Sequence, residues 1–163
     1  MNNQESSTSS TILRWGSPSQ LVAFPGSYER IFVSDHVSTW SDQVKERLEK
    51  LIQLENGWDG YNGMHVSLEN AHFALNVLAA ICETKTPAPQ IVPGDSGDLQ
   101  LEWHTLHGDL EMHIIAPNQV HVWRELATED NDGIGLDLRN DFSIVAKWLQ
   151  EITEPEVAIA AAA

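Results

Sequence analysis

Cysteine is nearly absent: Cys82 is the single thiol in 163 residues. No disulfide can close within the chain, so a reducing, cytoplasmic setting is expected. No apolar run approaches the roughly 20 residues that a membrane helix needs, and no membrane partner is expected. The opening MNNQESSTSS has neither the basic nor the apolar segment of a secretion signal. Cations are scarce too, with 9 Lys and Arg against 24 Asp and Glu and a formal net charge of -15. Not one Lys or Arg lies between Lys85 and Arg124, a stretch that holds Asp95, Asp98, Glu102, Asp109 and Glu111. A nucleic-acid binder needs cations to neutralise phosphates, so direct DNA or RNA binding is not expected. A basic protein partner is, because opposite fields steer encounter. The same acidity also serves solubility alone.

Catalytic signatures are missing as well. The chain has no Gly-x-Ser-x-Gly elbow, no phosphate loop and no dinucleotide fingerprint. GDSG at 94–97 looks like the nucleophile motif of trypsin-like proteases. The chain is too short for that double barrel, and the stretch reads as a turn before a strand. No enzyme activity and no cofactor are expected.

What is present is a core: 42% of the residues are hydrophobic, and six are Trp. One domain is expected over 11–153, between a disordered tail at 1–10 and a second tail at 154–163. Residues 11–36 read as an irregular arm or an extra strand, with YERIFVS the candidate. Trp40, Val44, Leu48, Leu51, Ile52 and Leu54 fall near helical spacing. Ser41, or Ser38, is the expected cap of that helix, and Asn56-Gly57 its stop. Ser67 caps a second helix whose stripe is Leu68, Ala71, Ala74, Leu75, Leu78, Ile81 and Cys82. A last helix starts at Asn140 as cap and turns Phe142, Val145, Trp148, Leu149 and Ile152 inward.

Between the second and last helices the period is two. GDLQLEWHT puts Leu99, Leu101 and Trp103 on one face, with Asp98, Gln100, Glu102 and His104 on the other. GDLEMHIIA repeats this with Leu110, Met112 and Ile114 opposite Asp109, Glu111 and His113. QVHVWREL is a further strand, QIVP a short one before them, and GIGLDLRN one after. Such alternation marks strands that are dry on one face and wet on the other. The fold class is α+β, two-layer: an antiparallel meander of three to five strands, with two helices before it and one after, packed on one face. A two-residue turn at His107-Gly108 would set Glu102 against His113 and His104 against Glu111. A four-residue loop would oppose Glu102 to Glu111. Like charges directly opposite are unfavourable, so the two-residue turn is expected.

The connector LENGWDGYNGMHVS, 54–67, reads as a structural link. Gly57 closes the first helix, Trp58 packs back on it, Asp59 bonds nearby backbone N–H groups, and Tyr61 adds a second pinning aromatic. GWDGYNGMHVS resembles the Gly-Trp-Asp-Gly-Tyr-Gly-Ala motif of small uncharacterised bacterial proteins. Those continue with a Pro-rich link, a helix opened by Ser, a Leu-Glu-Trp strand, a hairpin and a final helix. LEW at 101–103, DLEMHI at 109–114 and PNQV at 117–120 match that plan, over about residues 45–150. The chain departs from it at Asn62, Gly63, Met64, His65 and Val66. The resemblance implies a fold and a bacterial or phage origin, and supplies no catalytic residue.

The wet face carries the candidate chemistry. His104, His107, His113 and His121 with Glu102, Asp109 and Glu111 are donor types for zinc, iron or manganese, but no compact ligand motif orders them, and no metal is assigned. A Glu102/Glu111 acid–base pair with Trp103 or Trp123 as a sugar platform is disfavoured, because a meander offers no deep cleft. Protein recognition fits best, with Glu102, His104, Asp109, Glu111, His113 and Trp123 as the partner-binding set. The expected function is a small acidic module that neutralises or regulates a basic partner, of antitoxin, immunity or phage-inhibitor type. The alternatives are a metal-dependent enzyme on the same His/Glu face and an oligomerising structural protein. The oligomeric state is left open.

Overall fold

Strands that alternate dry and wet need a cover on one side only, and three helices supply it. The computed structural model describes residues 40–129 and 132–153 in full, and the backbone of 20–23 and 30–33. The tails expected at 1–10 and 154–163, and Ser38, lie outside the described residues. In the segment read as arm or strand, β1 (Gln20–Ala23) pairs antiparallel with β2 (Arg30–Val33). Then come α1 (Ser41–Ile52) and α2 (Leu68–Ile81), a five-stranded sheet, and α3 (Ser143–Thr153). The sheet is antiparallel, its order the chain order: β3 (Gln90–Pro93), β4 (Leu99–His104), β5 (Gly108–Ala116), β6 (Gln119–Leu126) and β7 (Ile134–Leu138). This is the expected α+β arrangement.

The core lies between the sheet and the helices. Leu99, Leu101 and Trp103 of β4, Leu110, Met112 and Ile114 of β5, and Val120 and Val122 of β6 are buried. They meet Ala71, Ala74, Leu75 and Leu78 of α2 and Val145, Trp148, Leu149 and Ile152 of α3 in one cluster. Burial of each large side chain contributes about 1.5–3 kcal/mol, so this layer dominates stability. The Trp103 indole N–H satisfies itself on the Pro87 carbonyl (2.9 Å). α1 lies against α2 and β3, and Arg47 Nε donates to the Ile91 carbonyl (3.0 Å). Asn70, buried in the first turn of α2, donates to the Gly97 carbonyl at 2.9 Å and the Ile115 carbonyl at 3.3 Å. It ties α2 to the β3–β4 turn and to the end of β5.

Helix ends differ from expectation in three places. Ser67 does cap α2, its hydroxyl accepting the Asn70 N–H at 3.1 Å. Ser41 does not cap α1: it is the first helical residue, and Trp40 occupies the cap position with no side-chain cap bond. α1 also stops at Ile52, short of Asn56-Gly57. Its Leu51 carbonyl takes the Val66 N–H (3.2 Å) where the connector returns, so no glycine is needed to close it. For α3, Asp141 and not Asn140 accepts the first helical N–H, that of Ser143 (2.9 Å). An anion at that end also suits the helix dipole.

The β4–β5 register is the four-residue alternative, and the two-residue turn is wrong. Glu102 faces Glu111, His104 faces Asp109, and Gln100 faces His113. Two features decide it. The loop is tied down: the Thr105 N–H donates to the Gly108 carbonyl (3.0 Å), and the Thr105 hydroxyl reaches the Gly108 and Ile152 carbonyls (3.0 and 2.9 Å). Each opposed carboxylate also has its own hydrogen-bonding neighbour. Gln100 Nε2 donates to Glu111 (2.8 Å), and His104 Nε2 lies 3.4 Å from Glu102. Cross-strand repulsion is worth at most about 1 kcal/mol, less than these contacts together.

Candidate interaction face

The side of the sheet away from the helices is open. Parity places Glu102 and His104 of β4, Asp109, Glu111 and His113 of β5, and Trp123 of β6 on it together. Register then orders them in rows. Gln90, Glu102, Glu111, Trp123 and Gly135 form one row across all five strands. Val92, Gln100, His113, His121 and Asp137 form the next. His104, Asp109 and Glu125 form a third. Glu125, His121 and Asp137 were missing from the partner-binding set predicted from sequence. Counting alternate residues along β6 and β7 finds them. No Lys or Arg belongs to these rows: Arg124 points to the helices and is 6% exposed.

The histidines are held by carboxylates. His104 Nδ1 lies 2.9 Å from Asp109, with Glu102 on its other ring nitrogen. His121 Nδ1 lies 2.8 Å from Asp137, and His113 Nε2 lies 2.5 Å from Asp98. The bond to Asp109, then that to Glu102, raises the His104 pKa above the usual 6.5. Burial pushes the Asp98 carboxyl up, but the His113 bond and the backbone N–H groups of Ser96 and Asp98 outweigh it, leaving the pKa lowered. A raised histidine stabilises the fold below 6.5 and ceases to as pH rises through the folded value; a lowered carboxylate stabilises above 3.8 and ceases to as pH falls through its folded value. An NMR titration therefore yields a His104 midpoint above 6.5, and Asp109→Asn moves it down toward that value. A His104 midpoint at or below 6.5 in the parent contradicts the pairing.

The chemistry open to this face is limited. Among the described residues, no three His, Cys, Asp or Glu side chains are placed to hold one metal ion. Glu102 and Asp109 sit on opposite ring nitrogens of His104, so the three do not point at a common centre. His107 is in the β4–β5 loop, off the face. Trp123 is only half exposed, and its indole N–H points to the Asp132 carbonyl (3.3 Å). GDSG is the β3–β4 turn, where Gly94 N–H donates to the Asp98 carbonyl (3.0 Å) and Ser96 Oγ to Asp95 (2.8 Å). Burial pushes the Cys82 thiol up to about 12, so it stays protonated at neutral pH.

The connector behaves partly as expected. Asp59 accepts the Tyr61 and Gly63 N–H groups at 2.8 and 2.9 Å, which lower its pKa. Gly57 is part of this loop rather than the end of α1. Trp58 is 38% exposed, and its indole N–H donates to the Met64 carbonyl (2.9 Å). Tyr61 pins nothing, being 85% exposed. No family model, curated protein or solved structure matches this chain.

Proposed function

We propose that this chain is a protein-binding module whose open sheet face docks a basic protein, and that it acts by occupying that partner rather than by catalysis. The observation that carries this reading is the face itself: carboxylates and carboxylate-held histidines in register across four strands, β4 to β7, with no Lys or Arg among them. A surface on which carboxylates predominate speeds encounter with an oppositely charged surface and repels phosphate backbones. Two larger cavities lie at its margins, about 320 Å³ beside Thr105 and Ile152 and about 710 Å³ by the β5–β6 turn and Asp137, and a smaller one of about 230 Å³ is lined by Gln90, Glu102 and His104 at the β3–β4 edge of the face. Small acidic neutralisers of antitoxin, immunity or phage-inhibitor type work in this way, and a cytoplasmic setting suits the single thiol.

The test is capture from the host at moderate salt, followed by identification of what elutes at high salt. A stoichiometric basic protein is expected. Reversing Glu102, Asp109 and Glu111 to Lys should abolish its capture, with far-UV circular dichroism unchanged. A folded triple variant that still captures the partner removes the acidic-face reading.

A further inference from the structure

We propose that the connector loop from Gly57 to Met64 is a preformed anchor for an arginine side chain of the basic partner, with the Tyr61 ring as its contact face. The inference rests on the proposed function for the nature of the partner, and rests on separate observations for the place. Tyr61 is 85% exposed, Met64 49% and Trp58 38%, three large apolar side chains within seven residues of chain. Such exposure on a slack loop would be unremarkable. This loop is not slack. The Gly57 N–H donates to the Gly63 carbonyl (2.8 Å) and the Gly60 N–H to the Gly57 carbonyl (2.9 Å). The Asp59 carboxylate holds Tyr61 N–H and Gly63 N–H, and the Trp58 indole closes on the Met64 carbonyl. The backbone under Tyr61 is thus fixed from several directions while its ring stands in water. Ordering a contact residue in advance removes part of the cost of binding.

Charge names the occupant. From Leu51 to Thr84 there is no Lys or Arg, whereas Glu55, Asp59 and Asp95 are exposed in or beside the loop. A cation is the favoured visitor. An aromatic face selects arginine over lysine, because the planar guanidinium stacks and is more weakly hydrated than an ammonium. The loop also adjoins the open face. Met64 N–H donates to the Asp95 carbonyl (2.8 Å), Ser96 N–H to Asp98 (3.1 Å), and Asp98 holds His113 (2.5 Å). An apolar anchor beside a charged field is the usual make-up of a binding hot spot. Trp123, with its N–H turned to Asp132, is the poorer candidate for that anchor.

Oligoarginine and oligolysine peptides of equal length, titrated into the full chain, test this. Tyr61→Ala should weaken oligoarginine about fivefold and leave oligolysine within about twofold, while Tyr61→Phe keeps parental affinity for both. Equal effects of Tyr61→Ala on both peptides, or none on either, overturn the anchor. Reversal of Glu102, Asp109 and Glu111 should weaken both peptides alike. If it weakens neither while Tyr61→Ala stays arginine-selective, the anchor stands and the acidic-face reading falls.

Discussion

Gly108→Ala lowers stability by about 4 kcal/mol, in urea unfolding followed by circular dichroism. Gly108 opens β5 at φ 155°, opposite Leu126 of β6. A Cβ there would run into the Glu125 carbonyl and lie 3.1 Å from the Leu126 Cα. These are backbone atoms of a neighbouring strand and have nowhere to go. The Thr105 N–H to Gly108 carbonyl bond and the Ala127 N–H to His107 carbonyl bond fix the loop on either side, so relief by moving Gly108 breaks one of them. Gly60→Ala is the control. Its φ is 85°, but no atom beyond the adjacent residues lies within 4 Å of an added Cβ, so only the left-handed strain of about 1–2 kcal/mol applies. Equal small losses for the two substitutions would mean that β5 and β6 do not pair as described.

The second large effect is at Arg124. Its guanidinium is buried between β6 and α3, donates to Glu151, lies 3.5 Å from Glu129, and stands 5.1 Å from the Trp148 ring centre. It links strand, loop and helix at one point. Arg124→Ala removes the cation and the volume at once, leaving two carboxylates facing a void; the expected loss is about 3 kcal/mol. Arg124→Met restores most of the volume and the contact with Trp148. Glu151 and Glu129 retain side-chain exposures of 32% and 35%, so they can rehydrate. The Met variant should therefore lose less than about half as much as Ala. Equal losses would mean that the charge, not the packing, is what this residue supplies.

How far the residues reveal the structure depends on which physical constraint each feature obeys. Leu99, Leu101, Trp103, Leu110, Met112 and Ile114 were legible because burial on one sheet face imposes period two. The open face followed from the same count, including Glu102, His104, Asp109, Glu111 and His113. The β4–β5 register was not legible. Pairings two residues apart put every side chain on the same face, so the apolar pattern is blind to the choice. A rule about opposed charges then pointed the wrong way, because it did not include Gln100 and His104 as hydrogen-bond partners of the two carboxylates. The end of α1 was missed for a related reason: Val66, distant in sequence, supplies the N–H that a local glycine was expected to supply. Tyr61 was read as packing because aromatics usually pack. Only the bonds that lock the loop without using its ring tell otherwise.

Docking depends on where the acidic charge lies, not on how much there is. Two triple variants of equal net charge separate these: Glu102, Asp109 and Glu111 to Lys on the open face, and Glu46, Glu49 and Glu69 to Lys on α1 and α2. The measurement is the dissociation constant of each for the captured basic partner at one fixed salt concentration. Loss of binding is expected for the face variant and near-parental binding for the helix variant. Equal weakening of both would contradict this, reducing the acidic face to a solubilising surface.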